Sequence, residues 1–169
     1  MNNQETKQTE KVQELERLAE LLQSERAQGK RIVHCHGVFD LLHIGHIHHF
    51  KQAKQLGDLL VVTITPDRYV NKGPNRPVFP EAQRAEVVAG LSVVDWVAVN
   101  RWATAVETIH LIRPSLFIKG QEYESRSEQA DPNFFAEVRA VKKVGGKSDF
   151  TRDQFTSSST RAFKRLGQN

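Results

Sequence analysis

His34-Cys35-His36-Gly37-Val38-Phe39-Asp40-Leu41-Leu42-His43-Ile44-Gly45-His46 is the stretch on which the fold turns. Ahead of its glycine, the apolar run from Ile32 to Cys35 predicts a short buried strand. Gly37 permits a tight turn in which the backbone comes close to a ligand. Beyond it, Ile47, Phe50, Lys54 and Gly57 fall at helical spacing, which predicts a helix from about His46. Strand, glycine turn and helix N-terminus follow one another. Such a helix end presents N–H groups and partial positive charge, which favour an anion. His43 and His46 stand three apart with Gly45 between them. Two imidazoles there can donate hydrogen bonds to phosphate oxygens without the permanent charge of a lysine.

The same region holds six histidines and the single cysteine, the residue types that bind zinc. Metal ligands must converge on one point, usually with carboxylates behind them. His34 and His36 share one strand face while His48 and His49 point around the helix, so no protein-held metal is expected.

Working outward, the strand and helix signals alternate. Val12, Leu15, Leu18, Ala19 and Leu22 form an apolar stripe that predicts an amphipathic helix to about Ala27, ended by Gly29. Leu59 to Thr65 is a continuous apolar, β-branched run of the kind buried on both faces of a parallel sheet. Asp67 to Phe79 reads as a loop, with a helix over Glu81–Ala89 behind Pro80. Trp96–Val99 and Leu116–Lys119 are further strands, around a helix from Thr104, its expected cap, to Ile112. After a polar loop, Gly120 to Asp131, a helix over Pro132–Val144 precedes a short fifth strand from Lys147 to Phe150. The pattern predicts an α/β fold: a doubly wound, parallel, five-stranded, Rossmann-like sheet with an extra N-terminal helix. Ligands of such sheets sit outside the strand C-termini where the strand order reverses. Residues 1–9 are polar and expected to be disordered, and residues 10–169 are expected to form one domain.

Composition narrows the partners. A net charge of +4 suits a small anionic substrate. No dense Lys/Arg cluster with interleaved aromatics appears, so no nucleic-acid partner is expected. One cysteine fits a reducing compartment, and the polar start lacks a signal core, so a cytoplasmic chain is expected. No apolar run approaches the ~20 residues that span a bilayer. Near the end of the chain, Arg152 precedes Thr156, Ser157, Ser158, Ser159 and Thr160. A hydroxyl run before a helical segment is an N-cap pattern, and beside Arg152 it also makes a second anion cradle.

Gly37-Val38-Phe39-Asp40-Leu41-Leu42-His43-Ile44-Gly45-His46 resembles the signature of the cytidylyltransferase-like nucleotidyltransferases, whose H-x-G-H also occurs in class I aminoacyl-tRNA synthetases. Within that superfamily the chain resembles glycerol-3-phosphate cytidylyltransferase and the adenylyltransferase domain of heptose-phosphate enzymes. The resemblance runs from about Lys30 to Thr160. It implies nucleotide contacts from Gly37, Val38, Phe39, Asp40, Gly45, Lys119, Thr156, Ser157, Ser158 and Ser159. It implies acceptor contacts from Arg76, Arg84, Glu122 and Tyr123, and places His43, His46, Lys72 and Arg152 at the reacting phosphates. Gln121 stands where some relatives have an acid, and Phe155 where many have glycine.

The implied reaction is in-line attack by a sugar or polyol phosphate on the α-phosphorus of CTP or ATP, with release of pyrophosphate. Mg²⁺ riding on the phosphates and a homodimer are implied by the resemblance as well. Ala53-Lys54-Gln55-Leu56-Gly57-Asp58 reads like the cytidylyl enzyme, whereas Lys72–Pro77 and Lys119–Tyr123 read like the heptose adenylyl domain. The competing readings are a pantetheine-phosphate or nicotinamide-mononucleotide adenylyltransferase, a synthetase fragment, and a non-catalytic nucleotide sensor within a larger polypeptide. The G-V-F-D-L-L-H-I-G-H spelling argues against the first, and a short chain without K-M-S-K-S against the second.

Overall fold

The structure, a computed structural model, describes residues 10–152. The expected disorder of residues 1–9 and the hydroxyl run Thr156 to Ser159 lie outside the described residues. The elements are α1 (Leu15–Ala27), β1 (Ile32–Gly37), α2 (Ile44–Gln55), β2 (Leu59–Ile64), α3 (Glu81–Ala89), β3 (Trp96–Val99), α4 (Val106–Ile112), β4 (Leu116–Gly120), α5 (Pro132–Lys143) and β5 (Lys147–Thr151). Single 3₁₀ turns occupy Asp67–Tyr69 and Gln121–Tyr123. Among the described residues no helix is long and apolar enough to cross a membrane.

All five strands pair in parallel, in the order β3-β2-β1-β4-β5. The chain winds outward from β1 to β3, returns, and winds outward again through β4 and β5. The reversal falls between β1 and β4, so the crevice opens where Gly37 ends β1.

Strand alternation distributes the core over two faces. Val33, Cys35, Leu60, Val62 and Ile118 face α2 and α3, where Phe50, Ala53, Ala85 and Val88 cover them. On the other face Ile32, Val61 and Ala98 meet Leu15, Leu18 and Leu22 of α1 and Ile112 of α4. These three leucines are buried, and each such side chain contributes about 1.5–3 kcal/mol. The N-terminal helix is therefore cover for the sheet. Ahead of it, Lys11 to Gln13 lie along β3: Val97 N–H donates to Lys11 O at 2.9 Å and Gln13 N–H donates to Val97 O at 2.8 Å.

Thr104 lies one position ahead of the N-cap residue, Ala105, and its hydroxyl accepts from the Val106 N–H, the first of α4, at 3.4 Å. The neighbouring Ala105 N–H is taken by the buried Glu137 carboxylate at 3.0 Å. Asn100, at the end of β3, donates to the Trp102 and Thr104 carbonyls at 2.7 Å each. A polar network thus organises this helix end.

His34 and His36 lie on the α1 side of β1 and are buried. Both are hydrogen-bonded to the Thr63 hydroxyl, His34 through Nε2 at 2.8 Å and His36 through Nδ1 at 2.9 Å. Among the described residues no three His, Cys, Asp or Glu converge as metal ligands. Burial first, and then nearby positive charge, hold both imidazoles well below the usual histidine range. Both are neutral in the folded chain at pH values where the unfolded chain protonates them, below about 6.5. The unfolded state then binds more protons, so stability is retained above about pH 6.5 and declines as the solution is acidified. Two such groups cost at most about 2.5 kcal/mol between pH 6 and 5. Urea unfolding at pH 7, 6 and 5 checks this, and a flat profile would remove these histidines as the cause.

Candidate active site

The crevice is built on the turn after β1. Phe39 takes a left-handed conformation, φ 47°, which folds its ring back over Gly37. A Cβ at Gly37 would sit 3.0 Å from Phe39 Cζ, so the glycine is what admits the ring. The ring then packs on Phe50 at 5.0 Å and meets His46 edge-on at 5.4 Å. Phe39 thus braces His46 from the core side.

His43 is the N-cap of α2 and His46 its third residue. Their rings stack with centroids 3.9 Å apart. The His43 backbone N–H donates to His46 Nδ1 at 3.4 Å, which makes Nδ1 the acceptor and leaves the proton on Nε2. Burial, followed by His43, His49 and Lys72, pushes the His46 pKa down to about 3. His46 is therefore a neutral hydrogen-bond donor at physiological pH, at a helix N-terminus that itself favours anions. Desolvation by the surrounding loop and then the Arg76 guanidinium lower the Lys72 ammonium, although the residue is exposed, with Asp40 opposing. His46, Lys72 and Arg76 thus lie near enough to feel one another's charge at this corner.

Asp40 and Arg84 hold that corner together. Asp40 Oδ2 accepts from Arg76 Nε at 2.6 Å, and Oδ1 accepts from the Val78 and Phe79 N–H groups at 2.8 and 3.1 Å. Burial raises the Asp40 pKa, but these bonds outweigh it and keep the carboxyl below its usual value. Its side chain is 0% exposed. Arg84 is also fully buried. Its guanidinium donates to the Phe79 carbonyl at 3.0 Å, the Thr65 carbonyl at 2.8 Å, the Val38 carbonyl, and Asp67 at 2.6 Å. The geometry therefore makes Arg84 a tie between the ends of β1 and β2 and the following loop, with little left to offer an acceptor phosphate.

The opposite wall comes from β4 and β5. Lys119 ends β4 against a buried partner, Glu137 of α5, at 2.9 Å. Lys119 and Arg126 flank the Tyr123 ring at 5.1 and 3.7 Å. Glu122 is exposed, with its carboxylate folded over Gly120. Arg152 follows β5. Gln52 of α2 brackets it by accepting its N–H and donating to its carbonyl, each at 2.9 Å. His49 of the same helix bonds Thr151 Oγ1 at 2.8 Å. The guanidinium is exposed and engages Glu124 with both terminal nitrogens.

Glu137, Gln52 and Glu124 carry no signal in the sequence, and His49 stands out there only as one of the histidines that do not converge on a metal. Glu137 lies in an amphipathic helix, where a lone glutamate reads as solvent-facing. The other three act on residues at least 28 positions away, and no local spacing announces that.

Comparison with known proteins decides the family. A cytidylyltransferase-like family model matches residues 34–164. The chain belongs to the cytidylyltransferase-like family. It is thus a nucleotidyltransferase domain, and the His43–His46 corner lies on that family's sheet at the point of strand reversal. The chain is 38% identical over 143 residues to bifunctional protein HldE of Syntrophotalea carbinolica, covering 82% of this chain and 29% of that one. HldE of Nitratiruptor sp. is 39% identical over 123 residues, 72% of this chain and 26% of that one. The chain thus spans less than a third of the length of these relatives. Among solved structures, a lipopolysaccharide core biosynthesis protein from Thermoplasma volcanium superposes with a TM-score of 0.59 at 29% identity, over 76% of this chain and all of that one. A pantoate-beta-alanine ligase from Francisella tularensis shares the fold, with a TM-score of 0.58 at 15% identity, over 90% of this chain and 72% of that one.

Proposed function

We propose that this cytidylyltransferase-like domain transfers the adenylyl group of ATP to a phosphorylated sugar, of the heptose-phosphate type, and releases pyrophosphate. The observation that carries the chemistry is the neutral His46 donor beside Lys72 and Arg76 at the start of α2. Similarity to the HldE proteins and to a lipopolysaccharide core biosynthesis protein supports the sugar and the base.

In this reading an acceptor phosphate oxygen attacks the α-phosphorus. The bond from that phosphorus to the bridging oxygen breaks, and pyrophosphate leaves with the electron pair. The chain supplies placement and charge. His46 Nε2–H, His43 and the first N–H groups of α2 hold oxygens of the transferring phosphoryl group. Lys72 and Arg152 offset the triphosphate charge, with Ser158 and Ser159 as further donors. Lys119 and Tyr123 border the remainder of the nucleotide or acceptor. Asp40 is buried and bonded through both oxygens, so it is no ligand for a protein-held Mg²⁺. A metal ion in this proposal travels on the triphosphate, and no step here depends on it.

Arg152 is held by Glu124 until the triphosphate arrives. An exposed pair of this kind is worth ~0–1 kcal/mol. Glu124→Gln is therefore expected to lower KM for the triphosphate by up to about fivefold with kcat unchanged. Steady-state kinetics check it, and an unchanged or higher KM would remove Glu124 as a competitor.

The reaction itself is tested by offering each of four nucleoside triphosphates with a panel of sugar and polyol phosphates and following pyrophosphate release. ATP with a sugar phosphate is the expected productive pair. Turnover with CTP and glycerol 3-phosphate would make the domain a cytidylyltransferase instead. Tight nucleotide binding with no pyrophosphate from any pair would make it a sensor.

A further inference from the structure

At the amino edge of the sheet, opposite the candidate active site, lies a concavity of about 630 Å³. The ends of α1 and α4 and the start of β5 enclose it. Leu116 and Val144 contribute apolar wall, and Arg26, Arg31, Arg113 and Lys147 line it. None of these four cations forms an ion pair among the described residues. The one carboxylate in the lining, Glu20, pairs with Arg17 at 3.2 Å.

Two details set this apart from an ordinary solvated surface. Arg26 donates through Nη2 to the Ile112 carbonyl at 2.5 Å, while its buried Nε has no hydrogen-bond partner among the described residues. Burial and the Arg113 charge both act against the Arg26 cation. Arg113 itself closes α4 in the left-handed region, φ 48°, ψ 63°, a position that glycine fills at least cost. Helix carbonyl ends offset part of the charge. Three C-termini reach this edge, and each carries roughly half a negative charge. That leaves an excess of more than one positive charge in the concavity. Its size falls in the ~300–1,000 Å³ range of small-molecule sites.

We propose that this concavity binds a small polyanion, a molecule carrying two or more negative charges on phosphoryl or carboxylate groups. Arg113 and Lys147 meet it from the rim and Arg26 from the floor. The site is independent of the adenylyl-transfer reading.

Amide NMR of the full chain, titrated separately with inorganic pyrophosphate and with citrate, tests it. Shifts are expected at Arg113, Ser115, Gly145 and Lys147, as a set distinct from any at Gly37, His43 and His46. Binding read from that set should weaken at least tenfold in Arg113→Asn combined with Lys147→Gln. Asn retains access to the left-handed conformation, both side chains are exposed, and neither belongs to the candidate active site. The double variant should keep wild-type pyrophosphate release and thermal melting. Response to pyrophosphate alone assigns a phosphoryl ligand, and response to citrate extends the class to polycarboxylates. Silence of the amino-edge amides with both probes, or shifts that persist in the double variant, overturns the proposal.

Discussion

Replacing His46 by alanine is expected to lower kcat for pyrophosphate release by about 10²–10³, the usual effect of removing one preorganised donor from a developing oxyanion. The geometry explains why one ring carries so much. Its Nδ1 is engaged by the His43 backbone N–H, so Nε2 carries the proton. The Phe39 edge and the His43 stack hold the ring in place before substrate arrives. Alanine removes donor, stack and edge contact together. The fold should survive, because the residues buried under α2 are Gly45, Phe50 and Ala53. A loss of 1 kcal/mol would move the melting point by about 2–4 °C in a chain of this size. Paired measurements of pyrophosphate release and thermal melting decide the matter. Wild-type turnover in a folded variant would end the assignment of His46.

The largest stability effect is expected at Arg84. Arg84→Met should cost about 3–5 kcal/mol, as removal of one partner from a buried charged network does. Methionine fills much of the volume but leaves the Val38, Thr65 and Phe79 carbonyls without their donor. Arg84→Lys should rescue little, since one ammonium cannot span acceptors that a planar guanidinium reaches at once. Urea unfolding of the three proteins measures both effects. Wild-type stability of the methionine variant would show that those carbonyls find other partners.

The alternation of β-branched runs with apolar helical stripes made the sheet and its winding legible, because each buried element writes its own period into the chain. His43, Gly45 and His46 were legible as a unit for the same reason: their placement depends on a glycine turn and a helix start within one short stretch. The roles of Arg84 and Lys119 were not. Arg84 reads as a helix arginine near a phosphate loop, yet its partners are backbone carbonyls that no side-chain pattern reveals. Lys119 reads as a substrate contact, and its ion pair with Glu137 arises only when α5 packs on β4. Thr104 reads as a cap and does accept the first N–H of α4, but the carboxylate that takes the adjacent Ala105 N–H comes from Glu137, too far along the chain for any local pattern to show.

The strip from Lys11 to Gln13 occupies the outer rim of β3, a strand of only four residues. Uncovered, that rim would present open main-chain hydrogen-bonding groups to any neighbouring molecule. A chain shortened to begin at Leu15 would keep its helix and its crevice yet gain an adhesive border. Self-association during concentration, rather than lost chemistry, is what such trimming would bring.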